Sequence, residues 1–180
     1  MKCVRVSRAG GPEVLELLEF PKPKLKDGWS LLKIQGFGMN HSEIFTRKGL
    51  SPSVKFPRIL GIECVGIIEE TTAENLNVGQ QMISIMGEIG RDFDGGYAEY
   101  TLIPNHQIYP VITKRLDLDS LIALPETYYT AFGAYKNLKI HCNDRILVRA
   151  ATSGVGVAFT KLIKGEFPNI YLVGTTRNLS

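Results

Sequence analysis

The sequence predicts a mixed fold, an all-β part followed by the opening of an α/β part. Three observations predict it. Up to about Pro110, short alternating apolar runs are cut by glycine and proline at the spacing of a sandwich or barrel. Around residues 112–127 this pattern gives way to apolar residues at helical spacing. From Arg145 to Val173 the order strand, glycine turn, helix, strand spells one βαβ unit. The expected domains are therefore residues 1–120 and residues 121–180.

Each element has a local reason. Lys2–Ser7 alternates polar and apolar residues until Ala9-Gly10-Gly11-Pro12 breaks it, and Val14–Phe20 resumes the alternation. Pro21 and Pro23 fix an extended connection. Trp29–Phe37 reads as a strand ended by Gly36 and Gly38. Val65–Glu70 follows Gly61, and Gln81–Met86 follows the Asn77-Val78-Gly79 turn. Gly95–Ile103 reads as a glycine turn feeding a strand. Leu116–Leu124 and Thr127–Leu138 carry helical spacing, with Asp117 and Thr127 as early caps. Arg145–Arg149 and Ile170–Val173 are short apolar strands on either side of a helix over Val155–Lys164.

Composition narrows the function classes. The chain has 180 residues, 44% hydrophobic and 22% charged, enough to bury a real core. Lys and Arg number 21 against 18 Asp and Glu, for a net charge of +3. The basic residues are scattered and form no run with interleaved aromatics, which argues against nucleic acid or a membrane surface as partner. No apolar run is long enough to span a membrane. Cys3, Cys64 and Cys142 are odd in number and far apart, so a disulfide framework is not expected and a cytoplasmic location is.

The turn Ala151-Thr152-Ser153-Gly154-Val155-Gly156 joins strand to helix. Small residues there let the backbone approach a pyrophosphate, whose charge is favoured by the free N–H groups and dipole of a helix N-terminus. Against G-x-G-x-x-G only the last glycine, Gly156, is kept. Ala151 and Ser153 take the other two places, and Gly154 adds room. A tight turn without ligand gives the same pattern, so context must decide. The second strand ends Val173-Gly174-Thr175-Thr176-Arg177, with no acid to accept from a ribose hydroxyl as NAD sites have. Arg177, Thr175 and Thr176 suit a 2′-phosphate, which reads as NADP(H). The other reading of Arg177 is a solvated loop cation.

Four segments, in order, carry a resemblance that covers essentially the whole chain. They are Gly61-Ile62-Glu63-Cys64-Val65-Gly66, Asp94-Gly95-Gly96-Tyr97-Ala98-Glu99-Tyr100, Leu124–Ala131, and the run from Asp144 to Gly156. Together they resemble the medium-chain dehydrogenase/reductase superfamily, and within it the quinone oxidoreductase or zeta-crystallin-like branch. The resemblance implies a GroES-like β-barrel domain followed by a Rossmann-type domain, with cofactor and substrate in the cleft between them. It implies cofactor contacts from Ser153, Gly154, Val155, Gly156, Thr175, Thr176 and Arg177, with Thr130 as a further contact or a local cap.

The zinc enzymes of the superfamily place a thiolate where this chain has Asn40 and a histidine where it has Ile62, and the third ligand position falls at Glu126. An amide, an isoleucine and a lone carboxylate do not make a zinc site, so no metal is expected. Glu63 is expected to pair with a nearby cation, Cys64 to be a buried thiol, and Asp92 and Asp94 to be turn residues. In place of zinc, the resemblance makes Asn40 the catalytic residue. Its amide would donate to a developing oxyanion while a nicotinamide delivers hydride to a quinone, enone or related carbonyl acceptor. His41 reads as a weak ligand, a donor or a locally satisfied side chain. Phe45 and Ser51 stand where the branch often carries tyrosines.

The expected function is thus NADPH-dependent, zinc-independent reduction of a small carbonyl or quinone. The alternative is a truncated, inactive family fragment serving as a binding or structural module. A complete cofactor domain has about six strands, and this chain supplies the first two. That leaves an open edge along Ile170–Val173 and the apolar face of Val155–Lys164. Homodimerisation or self-association through that edge, or a poorly ordered C-terminal region, is the expected consequence.

Overall fold

The computed structural model describes residues 1–112 and 115–177. The chain divides into two compact units, Met1–Glu126 and Thr127–Ser180. In the first unit β1 (Lys2–Val6) pairs antiparallel with β2 (Leu15–Glu19) and with the two-residue β4 (Arg58–Ile59). A five-stranded antiparallel sheet runs in the order β7-β3-β5-β6-β8. Its members are β3 (Trp29–Gly36), β5 (Glu63–Thr71), β6 (Gln81–Ile85), β7 (Tyr100–Pro104) and β8 (Tyr109–Pro110). The two sheets are stitched where the segment leading into β7 runs beside β1. There Val4 N–H donates to Tyr97 O at 2.8 Å and Glu99 N–H to Lys2 O at 3.0 Å.

The core of this unit is Leu32, Cys64, Ile68, Met82 and Ile103 from the five-stranded sheet, closed by Ile62, Leu76, Ile89 and Ile108 from loops. Burying each such aliphatic side chain is worth about 1.5–3 kcal/mol, which makes this cluster the main source of the unit's stability. β5 departs from simple alternation. Glu63, Cys64, Val65 and Gly66 are all buried, so its first half is covered on both faces. That double cover brings a carboxylate into the interior.

One expectation needs correction, and two segments gain detail. The glycine turn expected to feed a strand within Gly95–Ile103 does so at Tyr100, with Gly95 N–H and Gly96 N–H taken by Ile59 O and Gly61 O. Gly61 has φ +105°, and a side chain there would strike the backbone of Gly96 at 2.7 Å, so this contact requires glycine. The segment after Gly38, to which the sequence pattern assigns no element, forms helix α1 (His41–Arg47). The helix expected from Thr127 starts at Pro125 instead, a residue whose fixed φ suits a first helical position. Thr127 is therefore inside the first turn of α3 (Pro125–Leu138) and does not cap it. The shorter α2 (Leu118–Ile122) is capped as expected, with the Asp117 carboxylate accepting from Ser120 N–H at 2.7 Å.

In the second unit β9 (Arg145–Val148) and β10 (Tyr171–Gly174) pair in parallel and are joined through α4 (Gly154–Glu166). Ala158, Phe159 and Ile163 of α4 pack with Ala131 of α3, Val148 and Ile170, while Ile146 and Leu172 add to the cluster. Alternation leaves the other sheet face open. Leu147, Tyr171 and Val173 are 68%, 56% and 41% exposed, large values for apolar strand residues. Among the described residues β10 has no partner strand but β9. Val155 and Val157 of α4 are also exposed.

Candidate functional site

Asn40 occupies the N-cap of α1 with extended backbone, φ −110° and ψ 150°. The Glu43 carboxylate reaches back to accept from Asn40 N–H at 2.8 Å, the return arm of a capping box. Its other oxygen accepts from Ile62 N–H at 2.9 Å, and the Tyr97 hydroxyl donates to the carboxylate as well. Glu43 is only 4% exposed, so one buried carboxylate ties the start of α1 to the loop before β5 and to the segment before β7.

The side chain of Asn40 is held in turn by Glu63. Asn40 Nδ2 donates to Glu63 Oε1 at 2.8 Å, and Glu126 N–H donates to Glu63 Oε2 at 2.7 Å. A methyl group at Gly38 would lie 2.1 Å from Glu63 Oε1, so the residue before Met39 leaves the carboxylate its room. The expected cation beside Glu63 is not what the carboxylate meets. Two neutral N–H donors satisfy it, because its end of β5 is buried among backbone and amide groups. An amide nitrogen carries two N–H bonds, so one remains to Asn40 after Glu63 is served. Asn40 lines a cavity of about 490 Å³ whose other lining residues include the apolar Leu15, Met39, Ile44 and Leu60 with Arg47 and Tyr97.

Burial raises the Glu63 carboxyl above its ordinary value. The Asn40 amide and the Glu126 N–H pull it back, and the Glu126 and Glu43 carboxylates push it up further. The Tyr97 hydroxyl is raised by burial and by its bond to Glu43, so it stays protonated as a donor. Burial pushes the Cys64 thiol up to about 12, which keeps it neutral and uncompetitive as a metal ligand. Among the described residues no group of three or more His, Cys, Asp or Glu side chains is placed to hold a metal ion. His41 is exposed and lies edge-on to Phe45, with centroids 5.2 Å apart. Ser51 Oγ is 3.1 Å from Thr46 Oγ1.

The pKa of Glu63 has a measurable consequence. A carboxyl whose pKa is higher folded than unfolded contributes stability that is fully present below its unfolded value, 4.5, and is lost as pH rises through the folded value. Glu63→Gln is therefore expected to flatten the stability–pH profile above that point. Urea unfolding followed on the single tryptophan, Trp29, at about pH 5 and about pH 7 reads it. Parallel profiles for the two proteins would contradict the assignment.

In the second unit the turn is built as a helix head. Ser153 is the N-cap of α4 and its hydroxyl accepts from Gly156 N–H at 3.1 Å. The N–H groups of Gly154 and Val155 make no hydrogen bond to any described residue. A side chain at Gly154 would meet only Thr127, with Cγ2 nearest at 3.6 Å, so the backbone there is approachable. Gly156 has a different task. A Cβ on it would lie 2.5 Å from Ala150 O, so glycine lets α4 pack against the end of β9. The segment after β10 is tied to the same turn. Ala151 N–H donates to Thr175 O at 2.9 Å, and Thr152 and Thr176 share a hydroxyl contact at 3.2 Å. Arg177 is exposed and forms no ion pair with a described residue. Thr130 is exposed on α3, past its first turn, and not at a helix start as expected.

Residues 26–113 match the alcohol dehydrogenase GroES-like domain. The quinone oxidoreductase of Homo sapiens is 31% identical over 169 residues, covering 91% of this chain and 50% of that protein. The chain belongs to the medium-chain dehydrogenase/reductase superfamily. An NAD-dependent alcohol dehydrogenase of Saccharolobus solfataricus is 26% identical over 195 residues, covering 91% of this chain and 55% of that one. The solved quinone oxidoreductase of Thermus thermophilus, described also in complex with NADPH, superposes with a TM-score of 0.78 at 25% identity. The match covers 97% of this chain and 52% of that structure. The chain spans about half the length of the curated relatives it matches.

Sequence reasoning missed two residues of the Asn40 network. Glu43 was signalled by the Asn40-x-x-Glu43 spacing, a capping-box pattern hidden behind its comparison with a zinc-ligand segment. Tyr97 lies inside a glycine turn, and nothing in its spacing points to a carboxylate 54 residues away. Asp94 proves more than a turn residue, since its carboxylate accepts from Ile59 N–H at 3.0 Å and from the Arg58 guanidinium at 3.1 Å.

Proposed function

We propose that the protein is a nicotinamide-dependent oxidoreductase that prefers NADP(H) and reduces a quinone, enone or related carbonyl acceptor without zinc. The observation that carries the reading is the head of α4. Two uncommitted N–H groups, at Gly154 and Val155, stand beside a strand end that offers Thr175, Thr176 and Arg177 and no carboxylate. Backbone N–H groups of this kind suit a pyrophosphate, and a guanidinium with no ion pair among the described residues, beside two hydroxyls, suits a 2′-phosphate. The NADPH complex of the Thermus thermophilus enzyme supports the same reading.

A bound nicotinamide would supply the hydride. The chain's own residues do the rest. Glu63 fixes the Asn40 amide, whose remaining N–H donates to the acceptor oxygen as negative charge builds on it. The apolar side chains of Leu15, Met39, Ile44 and Leu60 beside Asn40 offer that oxygen no competing hydrogen-bond donor. Self-association through the open edge of β10 belongs to the same reading.

Calorimetric titration with NADPH and NADH is the test. NADPH is expected to bind at least about tenfold more tightly, and Arg177→Ala to remove the difference. Equal affinities would favour NAD use, as in the Saccharolobus solfataricus relative. No binding of either would favour a binding or structural module, a reading that the exposed Leu147, Tyr171 and Val173 support. Asn40→Ala is expected to lower NADPH-dependent quinone turnover about a hundredfold while leaving NADPH affinity unchanged.

A further inference from the structure

The first unit carries another open cavity, of about 400 Å³, lined by Ser53, Lys55, Arg58, Arg91 and Asp92. It shares no lining residue with the Asn40 cavity. Three of its five side chains are cations. Arg58 sits on β4, in register with Val6 of β1, and one arm of its guanidinium is held by Asp94. Arg91 sits in a backbone turn, its N–H donating to Glu88 O at 3.0 Å. Neither Arg91 nor Lys55 forms an ion pair with a described residue. The Nε atoms of both arginines are shut off from solvent and have no acceptor among the described residues. Each guanidinium is thus partly desolvated without full compensation, a state that strengthens its pull on an anion at the exposed arms.

We propose that this cavity binds a phosphoryl group, as free phosphate or as the end of a phosphate monoester. Several oxygens on one centre can accept from two guanidinium forks at once, and Lys55 and the Ser53 hydroxyl complete the donor set. With Asp94 committed to Arg58, Lys55 and Arg91 face the single carboxylate of Asp92, so the cavity keeps a positive excess. The monoester option has a structural basis. Arg58 and Asp92 also line an adjoining groove of about 390 Å³ walled by Phe20, Trp29, Phe93 and Tyr100, where an aromatic ring attached to the phosphate would lie.

Arginine side-chain NMR of the whole chain tests this, with inorganic phosphate and phenyl phosphate as probes and sodium chloride at matched ionic strength as control. Saturable shifts of the Arg58 and Arg91 Nε–H signals with either phosphate, and none with chloride, are expected. Arg91→Met should weaken binding at least about tenfold and Asp92→Asn should tighten it. Lys55→Met, at an exposed position with no role in packing, should weaken it about threefold without changing the fold. Equal affinity for the two probes assigns the site to the phosphoryl group alone, and tighter phenyl phosphate assigns it to an aromatic monoester. Shifts that grow linearly and equally with chloride, or affinities unmoved by both Arg91→Met and Lys55→Met, would overturn the proposal. Loss of NADPH binding by Arg177→Ala leaves these readouts untouched.

Discussion

Glu43→Ala is expected to destabilise the first unit by about 3–5 kcal/mol. The carboxylate takes Asn40 N–H, Ile62 N–H and the Tyr97 hydroxyl at a position that is 4% exposed. Removing it leaves donors without water or partner, and each such group costs about 1–3 kcal/mol. The tyrosine can turn its hydroxyl elsewhere, while the two backbone groups cannot move without shifting α1 and the loop before β5. Glu43→Gln should lose less, about 1–3 kcal/mol, since the amide oxygen still accepts from Ile62 N–H and the NH₂ can donate to the tyrosine oxygen, while Asn40 N–H loses its acceptor. Chemical denaturation followed on Trp29 measures both. A loss below about 1 kcal/mol for the alanine variant would mean that the three segments are held by something else.

Gly156→Val is expected to unseat the second unit. Its Cβ would stand 2.5 Å from Ala150 O and 2.8 Å from Ala151 Cα, and backbone atoms cannot swing aside as a side chain can. α4 must lift from the end of β9, loosening Ala158, Phe159 and Ile163 from their cluster. Overpacking of this kind costs about 1–3 kcal/mol in an ordinary core. Here the upper end applies, because a parallel pair with one covered face has little to spare. Amide hydrogen exchange should show protection lost across β9, α4 and β10 and kept in β3, β5 and β6. The proposed NADPH binding should disappear with it. Protection unchanged in the second unit would show that the helix can tilt at small cost.

Much of this was legible from the residues. Strands over Lys2–Val6, Trp29–Gly36 and Gln81–Ile85 follow from alternation and turn residues, because one side of each pairs with a neighbour and one side seeks the core. The βαβ order was legible because helix and strand periods differ so plainly around Gly154. The Asn40 network was not. Asn40 and Glu43 share one capping turn, but Glu63 and Tyr97 join them only through antiparallel register and loop contacts. The environment of Glu63 was misjudged for a related reason. A buried carboxylate calls for compensation, but sequence cannot say whether a cation or a pair of N–H groups provides it. Gly156 was legible as part of a glycine turn, while its packing task needed coordinates.

The placement of Asn40 at the head of α1 has a consequence for change at this position. The same residue caps a seven-residue helix and lines the cavity. Helix heads tolerate few residue types, chiefly short polar ones such as Ser, Thr, Asp and Asn. A donor to the cavity excludes Asp in its charged form, and a partner for Glu63 must also be a donor. Local architecture and chemistry thus filter the same site through different requirements, and few side chains pass both. Under the proposed function, diversification of acceptor preference is channelled away from position 40 toward Leu15, Ile44 and Leu60, which can be exchanged for residues of other shapes while Asn40 stays fixed.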